Sequence, residues 1–196
     1  MTLDQLDQQS DEKLAQMASD SEDAFYLLMQ RYEERLLRYI RRKIGYSQEN
    51  AEDVLQETFV KTYRNINSFD PTLKFSSWIY RIAHNEAISY WRKHKKSDKD
   101  ISLDKDENGL INILAGGENS DDEVIINEQR EKIEKVLHDM PDNYREVLEL
   151  RYLDEKSYEE ISDILQKPVG TVSAMINRAK QKFKDIGLKF KLEELI

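Results

Sequence analysis

The chain of 196 residues contains no cysteine. Disulfides, thiolate catalysis and cysteine-type zinc sites are excluded together. No run of about eighteen apolar residues exists, so no segment is expected to span or insert into a membrane. The N-terminus, MTLDQLDQQSDEK, is acidic and lacks an apolar core. It does not read as a secretory signal, and a cytoplasmic location is expected. Histidine is scarce: His84, His94 and His138 have no ligand partners at metal spacing, and His84 and Glu86 point to different helix sides. No glycine-rich phosphate loop follows a strand, no strand is evident, and no Ser–His–Asp arrangement can be argued. The expectation is a non-enzyme with no catalytic site, no metal and no cofactor.

What remains is charge and helical periodicity. Charged residues make up 35% and hydrophobic ones 39%, with 6 glycines and 3 prolines, a profile of helix-rich soluble protein. The length suits one or two small domains, each able to bury a core. The formal net charge is −9. Basic residues gather around Arg92 to Lys96 and from Arg178 to Lys191, while acidic ones crowd the N-terminus, Glu49 to Glu57 and Asp98 to Glu131. Local basic patches on a repulsive remainder predict weak binding to free DNA and the need for a partner.

The stretch from Tyr144 to Phe183 is the most informative. Ser157 and Glu160 fit a capping box that opens a short helix with Ile161, Ile164 and Leu165 on one face. That helix must stop before Pro168, whose fixed φ pre-sets the first turn of a second helix. Val172, Ile176, Ala179 and Phe183 keep helical spacing on the second helix. Thr171, Ser173, Asn177, Arg178, Lys180 and Lys182 occupy its opposite face, a set able to meet phosphates and base edges. This is the pattern of a helix-turn-helix. A helical hairpin that only packs on its own domain has the same periodicity.

Upstream, residues 22–96 read as a compact helical domain. Leu28, Tyr32, Leu36, Tyr39 and Ile40 form one apolar stripe. After Gly45 and the cap Ser47, a second stripe holds Ala51, Val54, Leu55, Phe59 and Ile66, and a third holds Ile79, Ile82, Ala83, Ala87, Ile88 and Trp91. Between the last two, Pro71 and its polar neighbours break the period over Asn67 to Ser77. Residues 97–123 are acidic and glycine-containing, with one apolar patch from Leu110 to Leu114, and read as a flexible acidic linker. A helix near Val124 to Met140 opens a second domain, residues 124–190, with Val136, Leu137, Val147, Leu148 and Leu150 in its core. Residues 1–21 and 191–196 read as tails. The fold class is all-α, in two small helical domains.

Three segments carry a family resemblance: AEDVLQETFVKTYRN (51–65), FSSWIYRIAHNEAISYWRKHKK (75–96) and PDNYREVLELRYLDEKSYEEISDILQKPVGTVSAMINRAK (141–180). In this order and spacing the chain resembles the extracytoplasmic-function sigma factors, the two-domain members of the main bacterial sigma family. The resemblance covers most of residues 22–96 (region 2) and 126–186 (region 4), and the partner it implies, core RNA polymerase, accounts for the charge pattern. It implies a transcription initiation factor of the stress-response kind that recognises −35 and −10 promoter elements and opens the −10 region.

Asp53, Gln56, Glu57 and Lys61 share one helix face by spacing. By resemblance this face grips the clamp helices of the polymerase's largest subunit, where carboxylates suit arginine. The loop and the helix after it, with Asn67, Ser68, Phe69, Lys74, Phe75, Arg81, Asn85, Arg92 and Lys93, are implied to hold single-stranded −10 DNA and a flipped-out base. Trp78 and Trp91, at helical spacing, are assigned to the core instead. Arg151, Tyr158, Glu159, Glu160, Thr171, Ser173, Ala174, Asn177 and Arg178 are implied to read or flank double-stranded −35 DNA. Ser173 and Met175 replace the basic residue and the arginine typical of relatives, and Gln166 replaces the usual turn glycine, which predicts a turn that is either strained or differently shaped. The resemblance further implies an anti-sigma factor, often membrane-bound, covering the DNA- and polymerase-binding faces. Two other readings are a helix-turn-helix regulator that binds DNA alone as a dimer, and a helical adaptor without a nucleic-acid role.

Overall fold

Serines open three of the helices. Ser10, Ser21 and Ser47 accept hydrogen bonds from the backbone N–H three residues on, at 3.3, 3.3 and 3.4 Å. Each satisfies one of the amides that a helix start leaves without an internal partner. The computed structural model describes residues 3–45, 47–95 and 132–190. The expected linker 97–123, the helix start at 124–131, Lys96 and the tail 191–196 lie outside the described residues. The elements are α1 (Leu3–Asp7), α2 (Asp11–Met17), α3 (Glu22–Ile44), α4 (Gln48–Asn65), a 3-10 turn (Ile66–Ser68) and α5 (Phe75–Lys95). Then come α6, described over 132–138, α7 (Asp142–Tyr152), α8 (Tyr158–Leu165), α9 (Val169–Gly187) and a closing 3-10 turn (Leu188–Phe190). No strand occurs among the described residues, as the all-α reading requires. The described residues divide into two compact units, residues 3–95 and residues 132–190, apart from Asp163–Gln166, which are counted with the first.

In the first unit α3, α4 and α5 pack against one another. The stripes place Leu28, Tyr32, Leu36, Tyr39, Ile40, Ala51, Val54, Leu55, Ile66, Ile79, Ala83 and Ala87 in the core. Full burial of one such leucine or isoleucine is worth about 1.5–3 kcal/mol. Two threonines also lie inside: the hydroxyls of Thr58 and Thr62 donate to the carbonyls of Val54 and Thr58 at 2.7 and 2.8 Å. Their polar atoms are satisfied within α4, so burial leaves no orphaned donor. Tyr39, 1% exposed, brings its hydroxyl to 2.9 Å from His84 Nδ1, a polar bond between α3 and α5. Gly45 follows α3 at φ +99°, a conformation that a Cβ would oppose.

Three expectations need correction here. Residues 3–17 are not a tail: α1 and α2 pack on α3, and Leu6, Leu14, Ala15 and Ala18 are buried. Arg31 of α3 clamps them by bonding to Asp7, to the Gln9 carbonyl at 3.0 Å and to Asp11 at 2.7 Å. The break expected over 67–77 is shorter, because Ile66–Ser68 coil into the 3-10 turn and α5 starts at Phe75. Trp91 is not core but 47% exposed. It sits near the C-terminal end of α5, where the flanking residues Arg92, Lys93 and His94 are also exposed.

In the second unit α7 packs on α9. Val136, Leu137, Val147, Leu148, Leu150, Ile161, Ile164, Val172, Ile176 and Ala179 are buried. The capping box is formed: Glu160 N–H donates to Ser157 Oγ at 3.1 Å and Ser157 N–H to Glu160 Oε2 at 3.0 Å. After α8, Gln166 takes φ +52°, the left-handed position where glycine is favoured. Lys167 N–H then returns to the Ser162 carbonyl at 3.1 Å, closing the helix end. Pro168 stands at the N-cap of α9 with φ −53°, just outside the helix rather than in its first turn.

Candidate nucleic-acid interface

Three surfaces carry the residues singled out from sequence. On α4, Asp53, Gln56 and Glu57 are all exposed and lie over the buried Val54, Leu55 and Thr58. Lys61 is set apart from them, because its ammonium pairs with Glu86 of α5 at 2.5 Å. Val60 and Tyr63, 40% and 54% exposed, are apolar neighbours on the same helix that periodicity did not single out.

Beside the 3-10 turn is a cleft of about 280 Å³, lined by Lys61, Asn65, Ser68, Trp78, Arg81, Ile82, Asn85 and Glu86. It brings together Ser68, Arg81 and Asn85 from the expected DNA set, and adds Asn65 and Lys61. Asn67 and Lys74 are exposed on the adjoining loop, and Arg92 and Lys93 are exposed at the far end of α5. Asp70 organises the loop by accepting from Thr72 N–H at 2.9 Å and Thr72 Oγ1 at 2.8 Å. These two bonds, the backbone one first, hold its carboxyl below the usual range. Phe69 and Phe75 do not belong to this surface. They are 8% and 0% exposed, and their rings meet at 5.3 Å and pack on Trp78 at 5.5 and 5.6 Å. Expected as base platforms, they form the aromatic floor beneath the loop, because both flank a short turn that folds their rings inward.

On α9, Thr171, Ala174, Asn177 and Arg178 are exposed and Ser173 is partly so, over the buried Val172, Ile176 and Ala179. Ahead of α8, Arg151 donates to the Lys156 carbonyl at 2.9 Å and lies over the Tyr158 ring at 5.6 Å. Glu160 is held in the capping box, so Arg151 and Glu160 shape the turn first, whereas Glu159 is exposed. Lys180 lies over the Tyr152 ring at 5.7 Å, and a bond to the Tyr152 side chain raises its pKa. No cluster of three or more His, Asp or Glu residues able to hold a metal occurs among the described residues. No described helix is long and apolar enough to cross a membrane.

The family models agree with this layout. Sigma-70 region 2 matches residues 28–97, and Sigma-70 region 4 matches residues 130–183. The ECF RNA polymerase sigma factor SigW of Bacillus subtilis is 36% identical over 172 residues, 86% of this chain and 91% of that protein. The chain belongs to the ECF sigma factors of RNA polymerase. The ECF sigma-E factors of Escherichia coli K12 and Haemophilus influenzae are 35% and 33% identical, each over 81% of this chain and over 83% and 84% of their own lengths. Two solved structures share the fold. CnrH, in complex with the cytosolic domain of CnrY, gives a TM-score of 0.64 at 23% identity, covering 93% of this chain and 99% of that one. RpoE of Bartonella quintana, in complex with the anti-sigma factor NepR, gives 0.57 at 20% identity, covering 83% and 96%. This sigma factor therefore carries regions 2 and 4 in its two helical units, and its function is in transcription initiation.

Proposed function

We propose that this sigma factor meets polymerase and promoter through those three surfaces. Asp53, Gln56 and Glu57 of α4 dock on a basic polymerase surface, the clamp helices of the largest subunit. The cleft beside the 3-10 turn and the loop through Lys74 take the displaced −10 strand. Here Lys61, Arg81 and Asn85 supply cations and amide donors, and the cleft volume allows an extruded base to enter. The outer face of α9 lies in the major groove of the −35 element, with Arg178 as its long forked donor. The observation that carries this reading is the two-sidedness of α9. Its polar residues Thr171, Asn177 and Arg178 face outward while Val172, Ile176 and Ala179 are buried, so the outer face is available to a partner outside the fold.

In this reading polymerase supplies most of the DNA affinity, which the net charge of −9 supports. The protein works in the cytoplasm, without chemistry of its own, and an anti-sigma protein holds it inactive by covering the α4 and α9 faces. The complex of the similar RpoE with the anti-sigma factor NepR supports a partner of that kind. Electrophoretic mobility shift on a promoter fragment tests the reading, first with the protein alone and then with core polymerase. Retardation only in the presence of polymerase is expected. Tight, dimeric binding by the protein alone would select the stand-alone regulator.

A further inference from the structure

The acidic start of α2 reaches the loop assigned above to the −10 strand. Glu12 Oε1 accepts the backbone N–H of Phe75 at 3.4 Å, across 63 residues of sequence. Phe75 is the first residue of α5, so this amide is one that its own helix cannot satisfy. A carboxylate there also meets the positive end of the helix dipole. The neighbouring Asp11 accepts the Tyr32 hydroxyl at 2.5 Å, and burial together with that bond pushes the Tyr32 pKa well above its ordinary range. The Tyr32 ring packs edge-on against Phe75 at 5.5 Å, and Phe75 in turn packs on Phe69 at 5.3 Å. Residues 69 and 75 are the two roots of the loop. Two adjacent acids of α2 thus hold one root directly and both through an aromatic chain, while Arg31 keeps Asp11 in place.

We infer that Glu12 is a positioning residue for −10 recognition: α2 is a brace that fixes where α5 begins and hence where the loop tip, Asp70–Lys74, stands. The inference rests on the proposed −10 role of that loop. Without the brace the fold persists, because Leu14, Ala15 and Ala18 still bury α2. The loop root instead samples more than one position, and the energy of ordering it is drawn from promoter opening.

The test uses the full chain with core polymerase and compares wild type, Glu12→Ala, Glu12→Gln and the loop variant Lys74→Ala. Three quantities are read: holoenzyme affinity, the opening rate at a 2-aminopurine-labelled −10 element, and discrimination among single-base substitutions in a single-stranded −10 template. Glu12→Ala should leave holoenzyme affinity unchanged, slow opening by about threefold to tenfold, and flatten the base discrimination. Glu12→Gln keeps a carbonyl oxygen for Phe75 N–H and should recover most of both losses. Wild-type opening and discrimination in Glu12→Ala, with Lys74→Ala impaired, overturns the brace. A parallel loss of holoenzyme affinity in Glu12→Ala also overturns it, since that is a general loss of structure. If Lys74→Ala is also silent, the loop is not the −10 reader and the underlying assignment fails instead.

Discussion

Replacing Gln166 separates backbone strain from side-chain bonding in the turn that aims α9. Gln166 sits at φ +52°, and its amide donates to the Asp163 carbonyl at 2.6 Å. Alanine and glycine both delete that bond, worth about 0.5–1.5 kcal/mol. They differ in the backbone term. A residue with a Cβ is penalised by about 1–2 kcal/mol in the left-handed region. Glycine escapes the penalty but gives back about 0.4–1 kcal/mol through the freedom of its unfolded chain. Gln166→Gly should therefore be more stable than Gln166→Ala by about 0.5–1 kcal/mol, and close to wild type. For a unit of this size the difference corresponds to a melting shift of about 2–8 °C. Thermal unfolding of the full chain, with amide exchange at Val172 and Ile176 reporting on the second unit, measures it. An alanine variant as stable as the glycine variant would refute the strain argument, and with it the left-handed turn.

Three further outcomes are expected. Asp53→Ala with Glu57→Ala should weaken core polymerase binding at least tenfold, about 1.4 kcal/mol, in a pull-down titration. Circular dichroism should stay unchanged, because both side chains are exposed. Arg178→Ala should cost about 1–3 kcal/mol and relax selectivity at one −35 position, read by transcription from a −35 substitution library. A uniform loss across the library would instead mean a phosphate contact. Ser157→Ala should destabilise the second unit by about 1 kcal/mol, and a double-mutant cycle with Glu160→Ala should show coupling in denaturant unfolding, since the two groups cap each other.

The elements legible in the sequence were those whose stabilising contacts are local or periodic. The stripes on α3, α4 and α9 and the capping box at Ser157 need only spacing of three or four residues to be seen. The missing glycine marked the turn at Gln166 as unusual, and the backbone there is left-handed. The α1–α2 segment was not legible, because its apolar residues, Leu3, Leu6, Leu14, Ala15, Met17 and Ala18, are sparse and split between two short helices. It is held by Arg31 and Tyr32, twenty or more residues away. Phe69 and Phe75 looked available because they border a polar loop, and only the folded backbone turns their rings inward. Lys61 shares spacing with Asp53 and Glu57, but Glu86 of another helix draws it to the cleft. Periodicity assigns a face; which neighbour claims a long side chain is a tertiary fact.

The Tyr39–His84 bond has a consequence for uniqueness of packing. An apolar seam of leucine, isoleucine and alanine tolerates axial slips, because one turn of 5.4 Å brings a similar surface into the same place. A hydroxyl and an imidazole meeting at 2.9 Å do not tolerate it. Sliding α5 one turn along α3 would strand the buried Tyr39 hydroxyl, at about 1–3 kcal/mol, and take its partner from the half-buried His84. The correct alignment is thereby separated from its nearest competitors by more than the seam alone provides. Since α5 carries Arg81 and Asn85, and α4 is packed against both α3 and α5, that polar pair, together with the Lys61–Glu86 ion pair, helps to set the spacing between the α4 docking face and the cleft.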